Sequence, residues 1–397
     1  MDLAERISSI KPSPTLAINA KAQEMKRSGV DVVNFGVGEP DFDTPLHIRQ
    51  AAIEAIEQGF TRYTPVGGID ELKDAIIDKF KLDNSLEYER SEILVSCGGK
   101  HVLYNLAQAF LNPGDEVIIP APYWVSYPPI VLLAGGVPVI VETDEASGFK
   151  LSPEALEKAI TPKTKLLIMN SPSNPTGSVY RFDELKQLAE VILKYNVYVI
   201  SDDIYERLLF DGLVFSNIAQ VQGMRERTFV ANGVSKSYAM TGWRIGYIAG
   251  AAKVIAGMQR IQSQSTSNPN SIAQKAAVAA FRGPQGSIEE MINAFDERRR
   301  FLIGRLKDIP HVSCTMPEGA FYAFPNFSHY YNYSDGNGMI QNSARLAEYF
   351  LTEGKVALVP GSAFGADPFI RFSFATNLAT IGKGIDRISE SLLKLRS

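Results

Sequence analysis

Between about residue 92 and residue 250, short apolar runs rich in β-branched residues alternate with segments of helical periodicity. Residues 100–111 and 182–196 have the helical spacing, and the apolar runs are EILVSCGG, EVIIPAPYW, VPVIVETD, KLLIMNSPSNP, VYVISDD, TFVANGVSK and RIGYIAG. Strands that alternate with helices in this way form largely parallel sheets that are covered on both faces. The pattern therefore predicts an α/β fold with a mostly parallel, seven-stranded sheet between helices.

The pattern changes after about residue 286. A long charged helical segment, IEEMINAFDERRRFLIGRLKDI, is followed by short apolar runs within GAFYAFPNF, VALVPGSAFG and FIRFSFAT. This order predicts a smaller α+β domain over residues 286–397, with residues 1–45 forming an N-terminal arm and part of the same domain. Residues 46–285 then form the large domain. Ligands bind at the carboxyl ends of strands in open α/β sheets.

Composition excludes several classes of protein. The chain has 397 residues, 45% of them hydrophobic, and a formal net charge of −4 without a basic stripe, so nucleic acid is not an expected partner. Cys97 and Cys314 lie far apart with no CxxC, so we expect no disulfide framework and no metal site. No run approaches the roughly 20 apolar residues that span a bilayer, and no signal-peptide core is present. We expect a cytoplasmic protein without a membrane partner.

Two of the predicted strand ends carry groups suited to an anion and to a planar ring. In SCGGK, the backbone N–H groups of Gly98 and Gly99 could hold an anion at a helix N-terminus, although a plain strand-to-helix turn would also use glycines. In PYWVSY, Trp124 could stack on a planar cofactor or simply fill the core. Neither a GxGxxG fingerprint nor a P-loop is present, so the sequence does not predict a site for a nicotinamide dinucleotide or a nucleotide triphosphate.

Two further strand ends carry polar side chains. In NSPSNPTG, the prolines restrict the backbone that presents Asn174. In VISDDIYE, an apolar strand ends at Asp202 and Asp203, and the phenol of Tyr205 follows. A carboxylate at the end of a buried strand is unfavourable unless a cation pairs with it. We therefore expect a cation close to these carboxylates.

Lys236 stands among small residues at the next strand end, in NGVSKSYAMTGWRIGY. Partial burial and a neighbouring cation such as Arg244 would lower the pKa of its amine, and a neutral amine can form a Schiff base. An ion pair with Asp202 or Asp203 is the alternative. A reactive lysine, a buried aspartate, a stacking aromatic ring and an anion cradle are together what a pyridoxal phosphate site requires.

The motifs GGK, PYW, NSPSNPTG, SDDIY, SKSYAMTGWRIGY and FIRFSFAT, in this order and spacing, resemble the fold-type I, class I pyridoxal phosphate aminotransferases over nearly the whole chain. KPSPTLAINAKA, GEPDFDTP and YTPVGG resemble the bacterial aspartate aminotransferases, of a subgroup that often also transaminates prephenate. The resemblance implies the reaction of L-aspartate with 2-oxoglutarate to give oxaloacetate and L-glutamate.

The same resemblance assigns the cofactor contacts. Lys236 would bond to the cofactor aldehyde and move the substrate proton, and Asp202 would keep the ring nitrogen protonated. The other contacts would be Tyr205 and Asn174 with the ring hydroxyl, Trp124 with the ring face, and Gly98, Gly99, Ser235, Arg244 and Tyr63 with the phosphate. Tyr63 would reach across from a second subunit, which implies a homodimer with shared active sites.

For the substrate, the resemblance implies that Arg371 forks onto the α-carboxylate, a bidentate task that lysine performs poorly. Gly38, in VGEPDF, would let the backbone approach the same carboxylate. A solvent-exposed arginine at a strand edge and a simple turn glycine are the alternatives, although the phenylalanines that flank Arg371 favour its burial.

The distal carboxylate requires another cation. Many aminotransferases of this class use an arginine from the second subunit, whereas residues 263–271 offer hydroxyls and amides here. The subgroup resemblance makes Lys100 the candidate, with Thr15 in support and Lys11 close to the entrance. Lys100 could instead cap the phosphate or point to solvent.

Two other functions stay open at this point. One is a different pyridoxal phosphate reaction, such as that of a β-lyase or of an alanine or aromatic aminotransferase, in which Lys100 would have no carboxylate to bind. The other is a non-catalytic sensor of pyridoxal phosphate, which the absence of a basic stripe disfavours. Because Arg371 and Lys236 fall in different predicted domains, we also expect domain closure around the substrate.

Overall fold

The computed structural model describes residues 3–12 and 14–396, in which helices and strands alternate as the sequence predicts. The strands are β1 (Val33–Asn34), β2 (Ile93–Ser96), β3 (Glu116–Ala121), β4 (Val137–Glu142), β5 (Thr164–Asn170), β6 (Tyr198–Asp202), β7 (Thr228–Gly233), β8 (Gly246–Ala249), β9 (Tyr322–Ala323), β10 (Val356–Ala357), β11 (Val359–Pro360) and β12 (Ile370–Ser373). The helices are α1 (Glu5–Ser8), α2 (Pro14–Arg27), α3 (Leu46–Glu57), α4 (Asp70–Asn84), α5 (Gly99–Phe110), α6 (Tyr127–Leu133), α7 (Pro153–Ala159), α8 (Phe182–Tyr195), α9 (Ala252–Ser263), α10 (Ser271–Arg282), α11 (Gly286–Lys307), α12 (Ser343–Thr352) and α13 (Leu378–Leu392).

The large sheet contains all seven of the apolar runs, in the order β2-β8-β7-β6-β5-β3-β4. Its strands are parallel except for β8, which is antiparallel to both β2 and β7. The prediction of an α/β fold with a mostly parallel seven-stranded sheet is therefore confirmed. The exception follows from the connection between β7 and β8, which contains no α-helix that could carry the chain back to the other end of the sheet.

Both faces of this sheet are covered by helices. Every residue of β2, β7 and β8 is buried. Side chains alternate along β2, so that Ile93 and Val95 join the apolar core that includes α4 and α10, whereas Leu94 joins the core that includes α5 and α9. Burial on both faces explains why these strands appear in the sequence as continuous apolar runs.

A second group of elements combines the N-terminal and C-terminal parts of the chain. Strand β1 pairs in parallel with β10, and β11, β12 and β9 form an antiparallel sheet. Val33 and Phe35 lie in one apolar cluster with residues of α11, α12 and α13. The domain boundaries at residues 45 and 285 stay predictions. None of the described helices is both long enough and apolar enough to cross a membrane.

Gly246 allows β8 to lie directly against the turn between β2 and α5. A Cβ atom at this position would overlap the backbone of Gly98 and Gly99. Gly98 has a φ of 90°, in the region that favours glycine. The close packing of these three glycines therefore fixes the position of the helix N-terminus that faces the candidate site.

We predict that Gly246→Ala lowers the free energy of unfolding by about 1–3 kcal/mol, because backbone atoms must move to make room for the methyl group. Urea unfolding checks this. Gly304→Ala on α11 is the matched control, since open space surrounds that helical glycine and alanine there should raise stability by roughly 0.5–1 kcal/mol. A Gly246→Ala protein as stable as the unaltered chain would contradict the prediction.

Candidate active site

A cavity of about 310 Å³ lies where the carboxyl ends of the parallel strands meet β12 and α2. It brings together most of the residues that the sequence singles out. The predicted residues in its walls are Thr15, Gly38, Gly99, Lys100, Trp124, Asn174, Asp202, Tyr205, Ser235, Lys236, Arg244 and Arg371.

Three predicted residues lie outside the cavity walls. Gly98 stands behind Arg244, where a Cβ atom would overlap the guanidinium group. The side chain of Tyr63 is 93% exposed, and Lys11 is also exposed. The contacts predicted for Tyr63 and Lys11 stay predictions.

Lys236 follows the end of β7 and points into the cavity. Its Nζ atom donates a hydrogen bond to the carbonyl oxygen of Gly38 at 2.5 Å. Burial lowers the pKa of Lys236 to about 8, and the guanidinium of Arg371 acts in the same direction. The amine therefore gives up its proton more readily than an exposed lysine does.

The alternative of an ion pair between Lys236 and an aspartate does not describe this structure. Asp203 faces away from the cavity and accepts hydrogen bonds from Ser201 and Asn217. Asp202 lines the cavity, but within the described chain it forms its side-chain hydrogen bonds with Tyr127 and with the N–H of Ile204. Lys236 and Asp202 are thus both left available to a ligand.

Asp202 ends β6 and is buried. The hydroxyl of Tyr127 donates to its Oδ2 atom at 2.6 Å, and the Asn170 amide donates to its backbone oxygen at 2.8 Å. Burial raises the pKa of Asp202 to about 6, and the hydrogen bond from Tyr127 opposes that rise. The carboxylate is therefore held next to a space in which a cationic group would favour its ionised form.

Sequence reasoning did not find Tyr127. It begins α6, three residues after Trp124, and the two rings meet edge to face with centroids 5.4 Å apart. Trp124 precedes α6, so the helical spacing rule does not apply to this pair, and PYWVSY carries no local signal for Tyr127.

Arg371, on β12, is 3% exposed and lies between the two groups of elements. Its Nη1 donates to Asn174 Oδ1 at 3.1 Å, and its Nη2 donates to the carbonyl oxygen of Gly36 at 2.8 Å. Its Nε atom is buried and has no hydrogen-bond partner among the described residues. A buried guanidinium with neutral partners and an unused N–H group is a site for a carboxylate.

Tyr322, a second residue that sequence reasoning missed, organises this end of the cavity. Its hydroxyl lies 2.8 Å from that of Tyr205, and its ring lies under the guanidinium of Arg371 at 4.6 Å. A Cβ atom at Gly38 would be 2.9 Å from the Tyr322 hydroxyl oxygen, so this position requires glycine because of close approach. Tyr322 lies between Phe321 and Ala323 in GAFYAF, an apolar context that is typical of a core position.

An anion cradle occupies the other end. Helix α5 begins at Gly99, and the first N–H groups of a helix have no partners within it. Arg244 lies beside this terminus, where it is held by hydrogen bonds to the carbonyl oxygens of Thr241 at 2.9 Å and Cys97 at 3.4 Å. Ser235 is buried in the same wall. A phosphate group fits this combination of donors and positive charge.

Lys100 adds a fourth basic side chain to the cavity, beside Lys236, Arg244 and Arg371. Its Nζ lies 5.0 Å from the centroid of the Trp124 ring, and within the described part of the chain it forms no ion pair. The hydroxyl of Thr15 is buried and also has no hydrogen-bond partner among those residues. Both groups are therefore free to bind a polar part of a ligand.

Comparisons with known proteins agree with this geometry. Residues 30–388 match the family described as aminotransferase class I and II. The chain is 52% identical to the aspartate/prephenate aminotransferase of Nitrosomonas europaea, over 99% of this chain and 100% of that one. It is 50% identical to the aspartate aminotransferase of Bacillus subtilis, with the same coverage.

Two solved structures are similar over nearly their whole length. The aspartate aminotransferase of Rhizobium meliloti superposes with a TM-score of 0.96 at 46% identity, and all of both chains is covered. The Thermus thermophilus aspartate aminotransferase, in a structure with maleate, gives a TM-score of 0.93 at 42% identity and covers 98% of this chain and 100% of that one.

We predict that, without ligand, Asp202→Asn gains stability relative to the unaltered chain as the pH rises from about 4 to about 7. Folding raises the pKa of Asp202 from 3.8 to about 6. The stability that Asp202 contributes to the fold is therefore fully present below pH 3.8 and is lost as the pH rises through 6. Tyr127→Phe removes a hydrogen bond that favours the ionised carboxylate, so the pKa of Asp202 should rise further. The loss of stability with rising pH should then extend to higher pH. Urea unfolding at a series of pH values measures both effects, and a difference that is independent of pH would contradict them.

Proposed function

The chain belongs to the aminotransferase class I and II family, and on that premise we propose that it transfers the amino group of L-aspartate to 2-oxoglutarate with the help of pyridoxal 5′-phosphate. The products are oxaloacetate and L-glutamate. The names of the full-length relatives at about half identity support this substrate, and prephenate, which some of those names include, is a second acceptor.

The cavity has a suitable group for each part of the cofactor. The N-terminus of α5, Arg244 and Ser235 hold the phosphate, Trp124 stacks on the ring, and Asp202 pairs with the ring nitrogen. The fit is supported by the buried Asp202 carboxylate, whose side-chain hydrogen bonds within the described chain come from neutral groups although its burial is unfavourable. A protonated ring nitrogen would give it a cationic hydrogen-bond partner.

Pyridoxal phosphate, when bound, supplies an aldehyde that condenses with amines and a cationic ring that accepts the electron pair left when the Cα–H bond breaks. The protein holds and moves the protons. Lys236, with its pKa lowered to about 8, can be neutral near physiological pH, and its Nζ then takes a proton from the substrate Cα and returns one later. Tyr127 and Asn170 keep Asp202 in place.

One observation carries the choice of substrate class: the buried Arg371 guanidinium has an unused Nε–H group and only neutral partners. We assign it to the α-carboxylate. Arg371 donates to the carbonyl oxygen of Gly36 and Lys236 donates to that of Gly38, so the guanidinium and the amine bond to the same short segment of backbone. An amino acid held by Arg371 therefore has its Cα close to Lys236.

Lys100 and Thr15 bind the distal carboxylate in this proposal, and Lys11 lies near the entrance. The support is that Lys100 is a cation without an ion-pair partner and that Thr15 has a buried hydroxyl without a hydrogen bond, within the described parts of the chain. The related Thermus thermophilus enzyme was solved with maleate, which is itself a dicarboxylate. A substrate with carboxylates at both ends uses Arg371 and Lys100 together.

We further propose that the enzyme works as a homodimer in which Tyr63 completes the phosphate site of the second subunit. Tyr63 is 93% exposed. Helix α3 also exposes three large apolar residues at helical spacing, Leu46, Ile53 and Ile56. Large apolar side chains on one face of a helix favour burial against a second copy of the chain.

We predict that the purified chain with pyridoxal phosphate consumes aspartate and 2-oxoglutarate, and that Lys236→Ala lowers kcat at least about 10³-fold because the proton carrier is lost. Initial rates with aspartate, glutamate, alanine, phenylalanine and prephenate measure the substrate preference. Lys194→Ala is the matched control, since this exposed lysine pairs with Glu157 on the surface. The proposal fails if aspartate is not consumed, or if Lys236→Ala retains the rate.

We predict that Lys100→Ala raises KM for aspartate roughly 10-fold to 100-fold, which is the effect of one lost charged hydrogen bond. KM for alanine or phenylalanine should change less than about twofold, because these substrates have no distal carboxylate. Arg371→Lys should raise KM for all three, since every amino acid has an α-carboxylate. An equal rise for aspartate and alanine in Lys100→Ala would refute the role of Lys100.

A further inference from the structure

Gln262, near the end of α9, is fully buried and uses all its hydrogen-bonding capacity. Its Nε2 donates to the carbonyl oxygens of Val66 at 2.7 Å and Val95 at 2.9 Å. Its Oε1 accepts from Ser96 Oγ at 2.6 Å and from Asn105 Nδ2 at 3.1 Å. The side chain thus joins residues 64–69 to the end of β2, directly before the anion cradle of its own chain.

Gln274, on α10, is the second fully buried glutamine in this region. Its Oε1 accepts from the backbone N–H of Ile69 at 2.8 Å, and its Nε2 donates to Thr64 Oγ1 at 3.0 Å. The same Nε2 also donates to the carbonyl oxygen of Pro269 at 2.9 Å. Gln274 therefore holds both ends of residues 64–69 and, unlike Gln262, has no hydrogen-bond partner in β2 or α5 within the described chain.

Further contacts fix the rest of this segment. Ser271 Oγ donates to the carbonyl oxygen of Phe60 at 2.9 Å, and the N–H of Val95 donates to that of Gly67 at 3.0 Å. Gly68 has a φ of 101°, and a Cβ atom there would lie 2.7 Å from the Val95 side chain. Residues 60–69 consequently lie along the edge strand β2 with little freedom of movement.

Tyr63 lies between Phe60 and Thr64, which are both held by these hydrogen bonds, whereas its own side chain is 93% exposed. A buried glutamine is favourable only when its amide is fully hydrogen-bonded, and apolar residues could fill the same volume. Two such glutamines directed at one short segment indicate that the position of its backbone matters. An exposed aromatic ring on a rigid backbone is suited to a contact outside its own subunit.

We propose that Gln262 and Gln274 are positioning residues that hold Tyr63 in place for the cofactor phosphate of a second copy of the chain. This inference rests on the shared active sites proposed above. Gln274 bonds to the segment that carries Tyr63 and to the carbonyl oxygen of Pro269, and none of these partners belongs to the anion cradle of its own chain. Replacing it therefore affects the site of the other subunit. Gln262 also contacts Ser96 and the carbonyl of Val95, so replacing it affects the sites of both subunits.

Mixed dimers test this inference. One subunit carries Lys236→Ala and a first affinity tag, and the other subunit keeps Lys236 and carries a second tag. The absorbance of lysine-bound pyridoxal phosphate then reports only on the site of the subunit that keeps Lys236. Gln274→Met in the Lys236→Ala subunit should weaken cofactor affinity about tenfold, the effect of one misplaced hydrogen bond to a phosphate. Gln274→Met in the other subunit should change the affinity less than about twofold. Gln262→Met should weaken it in either subunit.

Gln285→Met is the matched control. Gln285 also donates to two backbone carbonyls, those of Ala280 at 2.9 Å and Gly283 at 2.7 Å, but it does not bond to residues 60–69. The cofactor affinity should be unchanged with this substitution in either subunit. If Gln274→Met fails to fold, Thr64→Val removes the same hydrogen bond from the side of the segment and should weaken affinity about threefold, again only from the Lys236→Ala subunit.

The outcomes separate this inference from the proposed function. An unaltered dimer that binds no pyridoxal phosphate would refute the proposed function. Tyr63→Phe that weakens the site of its own subunit would refute shared sites. Suppose instead that Tyr63→Phe weakens cofactor affinity only at the site of the other subunit. If Gln274→Met then weakens affinity at the site of its own subunit, or at neither site, the positioning role of Gln274 is overturned. If Tyr63→Phe and Gln274→Met both weaken cofactor affinity only at the site of the other subunit, the positioning role is supported.

Discussion

Burial of ionisable groups whose hydrogen-bond partners are neutral is the constraint on which the rest of the site depends. Lys236, Asp202 and Arg371 line one cavity, and each is bound within the described chain mainly by neutral groups. Burial lowers the pKa of Lys236 and raises that of Asp202, so the charged state of each group is less favourable here than in water. A ligand that carries a cationic ring and a carboxylate would supply charged partners for Asp202 and Arg371.

The fold makes this arrangement possible by using two sheets. The large sheet brings the ends of β6 and β7 side by side, which places Asp202 and Lys236 in the same wall. Arg371 comes from β12 of the smaller sheet and reaches Asn174, which follows β5. Because Arg371 and Lys236 belong to different groups of elements, a movement between those groups would open or close the cavity.

The site is held together by hydrogen bonds among the side chains that line the cavity and by a buried amide outside its walls. Tyr127 holds Asp202, Tyr322 holds Tyr205, and Gln262 connects the start of the anion cradle to the segment that carries Tyr63. A ligand site that must orient a ring, a phosphate and a carboxylate at once requires its first contacts to be rigid. The buried amides and phenols provide that rigidity because their geometry is directional.

The sequence by itself determined the seven strands of the large sheet, because strands buried on both faces must be apolar along their whole length. It also indicated the chemical groups at their ends, since Lys236, Asp202 and the glycines before α5 stand in distinctive local motifs. Only the tertiary structure decided the antiparallel direction of β8, the carbonyl partner of Lys236 and the parts taken by Tyr127, Tyr322, Gln262 and Gln274. These depend on contacts between residues far apart in the chain, such as the 198 positions between Gly38 and Lys236, and no local pattern encodes such distances.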